Sequence, residues 1–134
     1  YQDLRQDDNV KDYITSHKEL FVDICKQIVE VLGLQIRDVM EIANGCQIVA
    51  AERESKWRNA RKMPKLLRFL RIPEMVNEGT VRSLMEEMKK MGITRGCIYT
   101  SSNFSRMALN YAESRPVELF DKEVLKDILS QIDL

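Results

Sequence analysis

The stretch RGCIYTSSNFSRMALNYAE, residues 95–113, constrains the chain more than any other feature, because it passes from an apolar strand through a polar turn into an amphipathic helix. In its second half Phe104, Met107, Ala108, Tyr111 and Ala112 recur at the spacing that gathers side chains on one helical face. The segment VELF then reads as a further strand, and Asp121 stands where it caps a last helix carrying Val124, Leu125, Ile128, Leu129 and Ile132. A chain that alternates strand and helix in this way covers a sheet with helices, since each apolar face needs an opposing surface.

The first half supplies the rest of that sheet. Leu20, Phe21, Ile24, Cys25, Ile28, Val29 and Leu32 keep helical spacing and are closed by Gly33. Leu34 to Ile42 alternates, and Asn44-Gly45 turns the chain into Cys46 to Ala51, a β-hairpin. Asp38 falls by parity on the apolar face of the first strand, a costly place for a carboxylate without a partner or a task. The run KLLRFLRI is a third strand ended by Pro73, and Val81, Leu84, Met85 and Met88 mark a helix closed by Gly92. Met75, Met85, Met88 and Met91 read as core filler. The predicted order is α-β-β-β-α-β-α-β-α: an α/β domain over residues 19–134 with a central mixed sheet of about five strands flanked by helices. Residues 1–18, with Asp3, Asp7, Asp8, Asp12 and His17, lack a clear period and read as an acidic arm or loose helix.

A length of 134 residues suits one domain, and no apolar run approaches the roughly 20 residues of a membrane span. Cys25, Cys46 and Cys97 are odd in number and set in apolar segments, which fits reduced thiols and a cytoplasmic, reducing compartment. The start at Tyr1 is that expected of a piece of a longer chain. A net charge of zero hides a concentrated segment: Arg53, Lys56, Arg58, Arg61, Lys62, Lys65, Arg68 and Arg71 stand against Glu54 alone. Such a segment in a neutral protein calls for a localised anionic partner.

The order of elements, and above all GCIYTSSNFSRMALNYAESRPVELFDKEVLKDIL, resembles the second half of Mrr-type restriction endonucleases, a branch of the PD-(D/E)xK nuclease fold. Gly96, Thr100, Ser101, Phe104, Ser105, Ala108, Tyr111, Ala112, Leu119, Asp121 and Leu125 carry the likeness, which extends over roughly residues 20–130. The resemblance implies an acidic residue on the second strand and a Glu or Gln one residue from a Lys on the third. Together these hold Mg²⁺ at the scissile phosphate and activate water. In NGCQIVA, where the family has Gly-x-Asp, this chain has Gln47. In LLRFLRI, where Gln-x-Lys is expected, it offers Arg68, Phe69, Leu70 and Arg71, and arginine stays protonated and ligates no metal.

The resemblance therefore implies a degenerate former active site at Gln47, Arg68 and Arg71, no catalytic residues, and no cofactor. The expected function is a catalytically inactive nuclease-fold domain that binds nucleic acid, DNA in the first instance. The binding residues expected are Arg53, Lys56, Arg58, Arg61, Lys62, Arg68, Arg71, Thr100, Ser101, Ser102 and Arg106. Ser101 or Ser102 caps the helix that begins near Asn103, where free N–H groups receive phosphate well. Trp57 stacks on a base or packs at the sheet edge. One alternative is an active Mg²⁺-dependent endonuclease using Asp38 with the Glu54-Ser55-Lys56 triplet; another is a protein-interaction module whose basic segment docks an acidic protein partner.

Overall fold

The computed structural model describes residues 2–52 and 63–132. Its elements are α1 (Gln2–Thr15), α2 (Lys18–Val31), β1 (Leu34–Ile42), β2 (Gly45–Glu52), β3 (Lys65–Leu70), α3 (Glu78–Met91), β4 (Arg95–Thr100), α4 (Arg106–Glu113), β5 (Val117–Phe120) and α5 (Lys122–Leu129). One mixed sheet runs in the order β1-β2-β3-β4-β5. Its first three strands form an antiparallel meander, and β3, β4 and β5 are parallel. From α2 onward the expected order of elements, and the expected mixed sheet, are the observed ones.

Strand alternation sorts the core into two layers. Leu67 and Phe69 of β3, with Cys97 and Tyr99 of β4, meet Phe21, Ile24 and Ile28 of α2 and Leu125 and Leu129 of α5. Leu66, Leu70 and Ile98 point the opposite way, onto Val81, Leu84 and Met88 of α3 and Ala108 and Ala112 of α4. Burial on both faces explains why β3 and β4 read as near-continuous apolar runs rather than alternating ones. Phe69, Tyr99 and Phe120 stack across three strands, with ring centroids 5.1 and 4.6 Å apart.

The N-terminal segment, expected as an acidic arm or a loose helix, is helical. It forms the regular helix α1, and Asn9 and Tyr13 are buried. Asn9 Nδ2 donates to the carbonyls of Leu129 (2.6 Å) and Ile132 (3.1 Å), and Tyr13 Oη donates to that of Leu70 (2.9 Å). Tyr13 also packs edge-on against Phe21, with Val10 beside the same core, so α1 is held by two buried polar side chains and a short apolar contact. His17 caps α2, its Nδ1 accepting from the Leu20 N–H. Of the four methionines read as filler, Met88 is buried and Met85 packs at the core edge, whereas Met75 and Met91 are exposed. No helix among the described residues is long and apolar enough to cross a membrane.

Two close approaches depend on glycine. A Cβ at Gly45 would fall 2.0 Å from the Phe69 carbonyl oxygen, so any side chain there forces β2 and β3 apart. A Cβ at Gly96 would meet the Met88 thioether at 2.5 Å, and that side chain can swing. Gly45→Ala should cost at least about 2 kcal/mol in urea unfolding and more than Gly96→Ala; the reverse order would contradict this packing. The pH dependence offers a second check. Burial pushes the Cys97 thiol up to about 11, so the folded chain holds its proton after the unfolded chain has released it. Unfolding free energy should fall as pH rises from about 9 towards 11, and Cys97→Ala should flatten that decline.

Candidate functional site

Register decides which side chains meet. β2 pairs with β3 so that Gln47 lies opposite Arg68, and both project to the α3 side of the sheet alongside Leu66 and Leu70. Arg68 Nε and Nη2 both donate to Gln47 Oε1, at 3.2 and 2.9 Å, and Nη1 donates to Ser83 Oγ of α3 at 3.4 Å. Arg68 is 7% exposed and Gln47 2%. Burial pushes the guanidinium below its ordinary value while the Glu87 carboxylate acts the other way, and a group that starts so high stays charged. Among the described residues no carboxylate lies within ion-pair distance of it.

The pair forms the floor of a cleft of about 510 Å³. Met40, Asn44 and Leu70 wall it on the sheet side, and Asn77, Thr80, Ser83 and Glu87 wall it from α3. Asn77 caps that helix, its Oδ1 accepting the Thr80 N–H at 3.0 Å.

The Mrr_cat restriction endonuclease profile matches residues 15–129. The chain belongs to this Mrr restriction endonuclease family. Comparison with curated proteins yields no match. The chain shares its fold with the DNA modification-dependent restriction endonuclease AspBHI, at TM-score 0.71 and 15% identity over 96% of this chain and 35% of that one. It is similar too to MspJI restriction endonuclease, solved in complex with a 27-mer oligonucleotide, at TM-score 0.58 and 13% identity over 97% of this chain and 31% of that one. The chain thus spans about a third of either endonuclease.

Mrr nucleases imply a Mg²⁺ ion held by oxygens on the second and third strands. The cleft residues described here do not fit one. The Gln47 amide oxygen is already taken by two N–H groups of Arg68, Arg68 is itself a cation that ligates no metal, and Leu70, two residues further along the same face, has an apolar side chain. No group of three or more His, Cys, Asp or Glu side chains able to hold a metal occurs among the described residues.

Arg71 does not join this pair. It follows the end of β3, lies with its guanidinium 4.3 Å from the Phe21 ring centroid, and donates through Nη1 to the Ser16 carbonyl, on the α1/α2 side. Asp38 is exposed rather than on the apolar face, because a β-bulge between Ile36 and Asp38 shifts the register. Val39 packs inward in its place, and Asp38 Oδ1 accepts from the Val39 N–H at 3.0 Å. Its companions in the alternative catalytic set, Glu54 and Lys56, lie outside the described residues. So do Arg53, Arg58, Arg61, Lys62 and Trp57, in the segment that connects β2 with β3.

The turn after β4 is directed inward. Thr100 and Ser102 are buried with their hydroxyls 2.8 Å apart, and Ser101 Oγ donates to the Ile72 carbonyl at 3.4 Å. Neither Ser101 nor Ser102 caps α4. Ser105 does so, accepting the Ala108 N–H at 3.1 Å, because Phe104 is held extended by a parallel bridge to Val76. Arg106 is exposed on the first turn of α4.

Sequence reasoning missed Ser83, Glu87 and the N-terminal turn of α3 as part of this cleft. Their signal was present: Thr80, Ser83 and Glu87 recur at helical spacing, a polar stripe beside the apolar Val81, Leu84 and Met88. Gln47→Leu strands a buried guanidinium without its acceptor and should destabilise the fold by about 2–3 kcal/mol. Gln47→Glu, which adds a countercharge, should cost less; equal losses in urea melts would speak against the pair.

Proposed function

We propose that this chain is the nuclease-fold domain of a longer protein and that it binds DNA without cutting it. The observation that carries this reading is the Gln47–Arg68 pair, a hydrogen-bonded amide and guanidinium on β2 and β3, at positions the sequence resemblance implies for metal ligands. Removing oxygens that bind Mg²⁺ and installing a cation abolishes the hydrolytic role of the cleft and leaves it attractive to anions. The basic segment between Arg53 and Arg71 supplies phosphate contacts through Arg53, Lys56, Arg58, Arg61 and Lys62, with Arg106 as a further contact. Likeness to an endonuclease solved with an oligonucleotide supports DNA as the partner class. Three free cysteines suit a reducing, cytoplasmic setting.

Duplex binding followed by fluorescence anisotropy tests this. With about five phosphates neutralised, affinity should fall roughly 500-fold between 50 and 200 mM salt, and alanine at those five positions should remove most of the slope. A flat salt response would count against DNA. Plasmid incubated with Mg²⁺ or Mn²⁺ should stay intact; cleavage that Glu54→Ala abolishes would instead establish the Asp38, Glu54 and Lys56 set.

A further inference from the structure

The guanidinium on the cleft floor has more donors than the fold uses. Arg68 carries five N–H donors, and its three hydrogen bonds leave one N–H on each terminal nitrogen without an acceptor among the described residues. Gln47 Oε1 faces the guanidinium, and its Nε2 likewise has no acceptor among them. A charge this buried is costly without an anion nearby, and Glu87, the carboxylate whose field reaches it, forms no ion pair with it. Glu87 is occupied on the rim with Lys90, 3.8 Å away.

A second, independent feature faces the same space. Asn77, Gly79 and Thr80, at the start of the 14-residue α3, line the cleft. The Asn77 side chain takes the Thr80 N–H, while the N–H groups of Glu78 and Gly79 belong to the first turn, which has no intrahelical acceptors. Positive dipole end and buried cation therefore converge on one cavity, whose 510 Å³ is ample for a phosphate with its flanking sugars.

We propose that the Arg68 cleft is a receptor for one phosphate-type oxyanion, gripped by the free edge of the Arg68 guanidinium, the Gln47 amide and the first turn of α3. In this arrangement the protein's own cation stands in the place that a metal ion takes in a metal-dependent nuclease. The inference deepens the DNA reading and rests on it for the source of the anion, a backbone phosphodiester. The planar fork of Arg68 suits bidentate capture of two phosphate oxygens, which a lysine does not reproduce. Glu87 opposes the anion and sets its affinity.

The test is a titration of ¹⁵N-labelled protein, at constant ionic strength, with inorganic phosphate in one arm and a thymidine dinucleotide bearing a single internal phosphodiester in the other. Both probes should give saturable shifts centred on the Gln47 side-chain amide and the backbone amides of Gly79 and Ser83. Arg68→Met should weaken binding about tenfold or more, Arg68→Lys should recover only part of it, and Glu87→Gln should tighten it severalfold. Binding of inorganic phosphate alone would keep the receptor and assign it a free anion. Shifts that do not saturate, that spread over exposed lysines, or that survive Arg68→Met would overturn the proposal. Should Arg68→Met fail to fold, the wild-type shift map decides by itself. Salt-steep duplex binding with a silent cleft would sink this site and leave DNA binding standing, and the opposite pattern would do the reverse.

Discussion

The pairing of β2 with β3 in a single register is the constraint on which the remaining structure depends. Gly45 lets the two strands approach at the Phe69 carbonyl, and from there the ladder sets Cys46 opposite Phe69 and Gln47 opposite Arg68. A slip of one residue would turn Arg68 into the layer formed by α2 and α5 and turn Phe69 out beneath α3. Because both faces of β3 are covered, that slip would bury a charge among aliphatic side chains and empty an aromatic stack. The register is thus enforced by packing, and the polar pair inherits its position from it.

The pair in turn shapes what the cleft can do. A hydrolytic centre of this fold concentrates oxygens, so that a divalent ion bridges protein and phosphate. Here an amide oxygen is spent on a guanidinium, and the charge is part of the chain. The Ser83 hydroxyl and the α3 N-terminus complete a donor-rich floor, with Glu87 the opposing charge at its rim. Belonging to a restriction endonuclease family is compatible with this, since fold and family membership carry the scaffold and the site carries the chemistry.

Much of the fold was legible in the sequence because hydrophobic period and punctuation agreed. Phe104, Ala108, Tyr111 and Ala112 gave away α4, Asn44-Gly45 the hairpin, and Asp121 the cap of α5, whose Oδ1 accepts from the N–H groups of Glu123 and Val124. What stayed hidden depended on single residues acting at a distance. The extra residue in β1 leaves no mark on its alternation, so simple parity puts Asp38 on the wrong face. Helix α1 is tied down by the long-range hydrogen bonds of Asn9 and Tyr13. Of the candidate site, Gln47 and Arg68 were readable from the family pattern, whereas Arg71 turned away because β3 ends at Leu70 and frees the next side chain from strand parity. Ser83 and Glu87 needed the helix to be placed over the sheet before their role was visible.

In the function proposed above, Arg68 takes the place of a metal ion in the cleft. Paramagnetic broadening by Mn²⁺ reads this directly, since a bound ion erases amide signals around it. Micromolar Mn²⁺ should leave the Gln47, Arg68 and Ser83 signals intact in the free protein. Selective loss of those signals, reversed by Mg²⁺, would show a metal seated in the cleft and refute that role for Arg68.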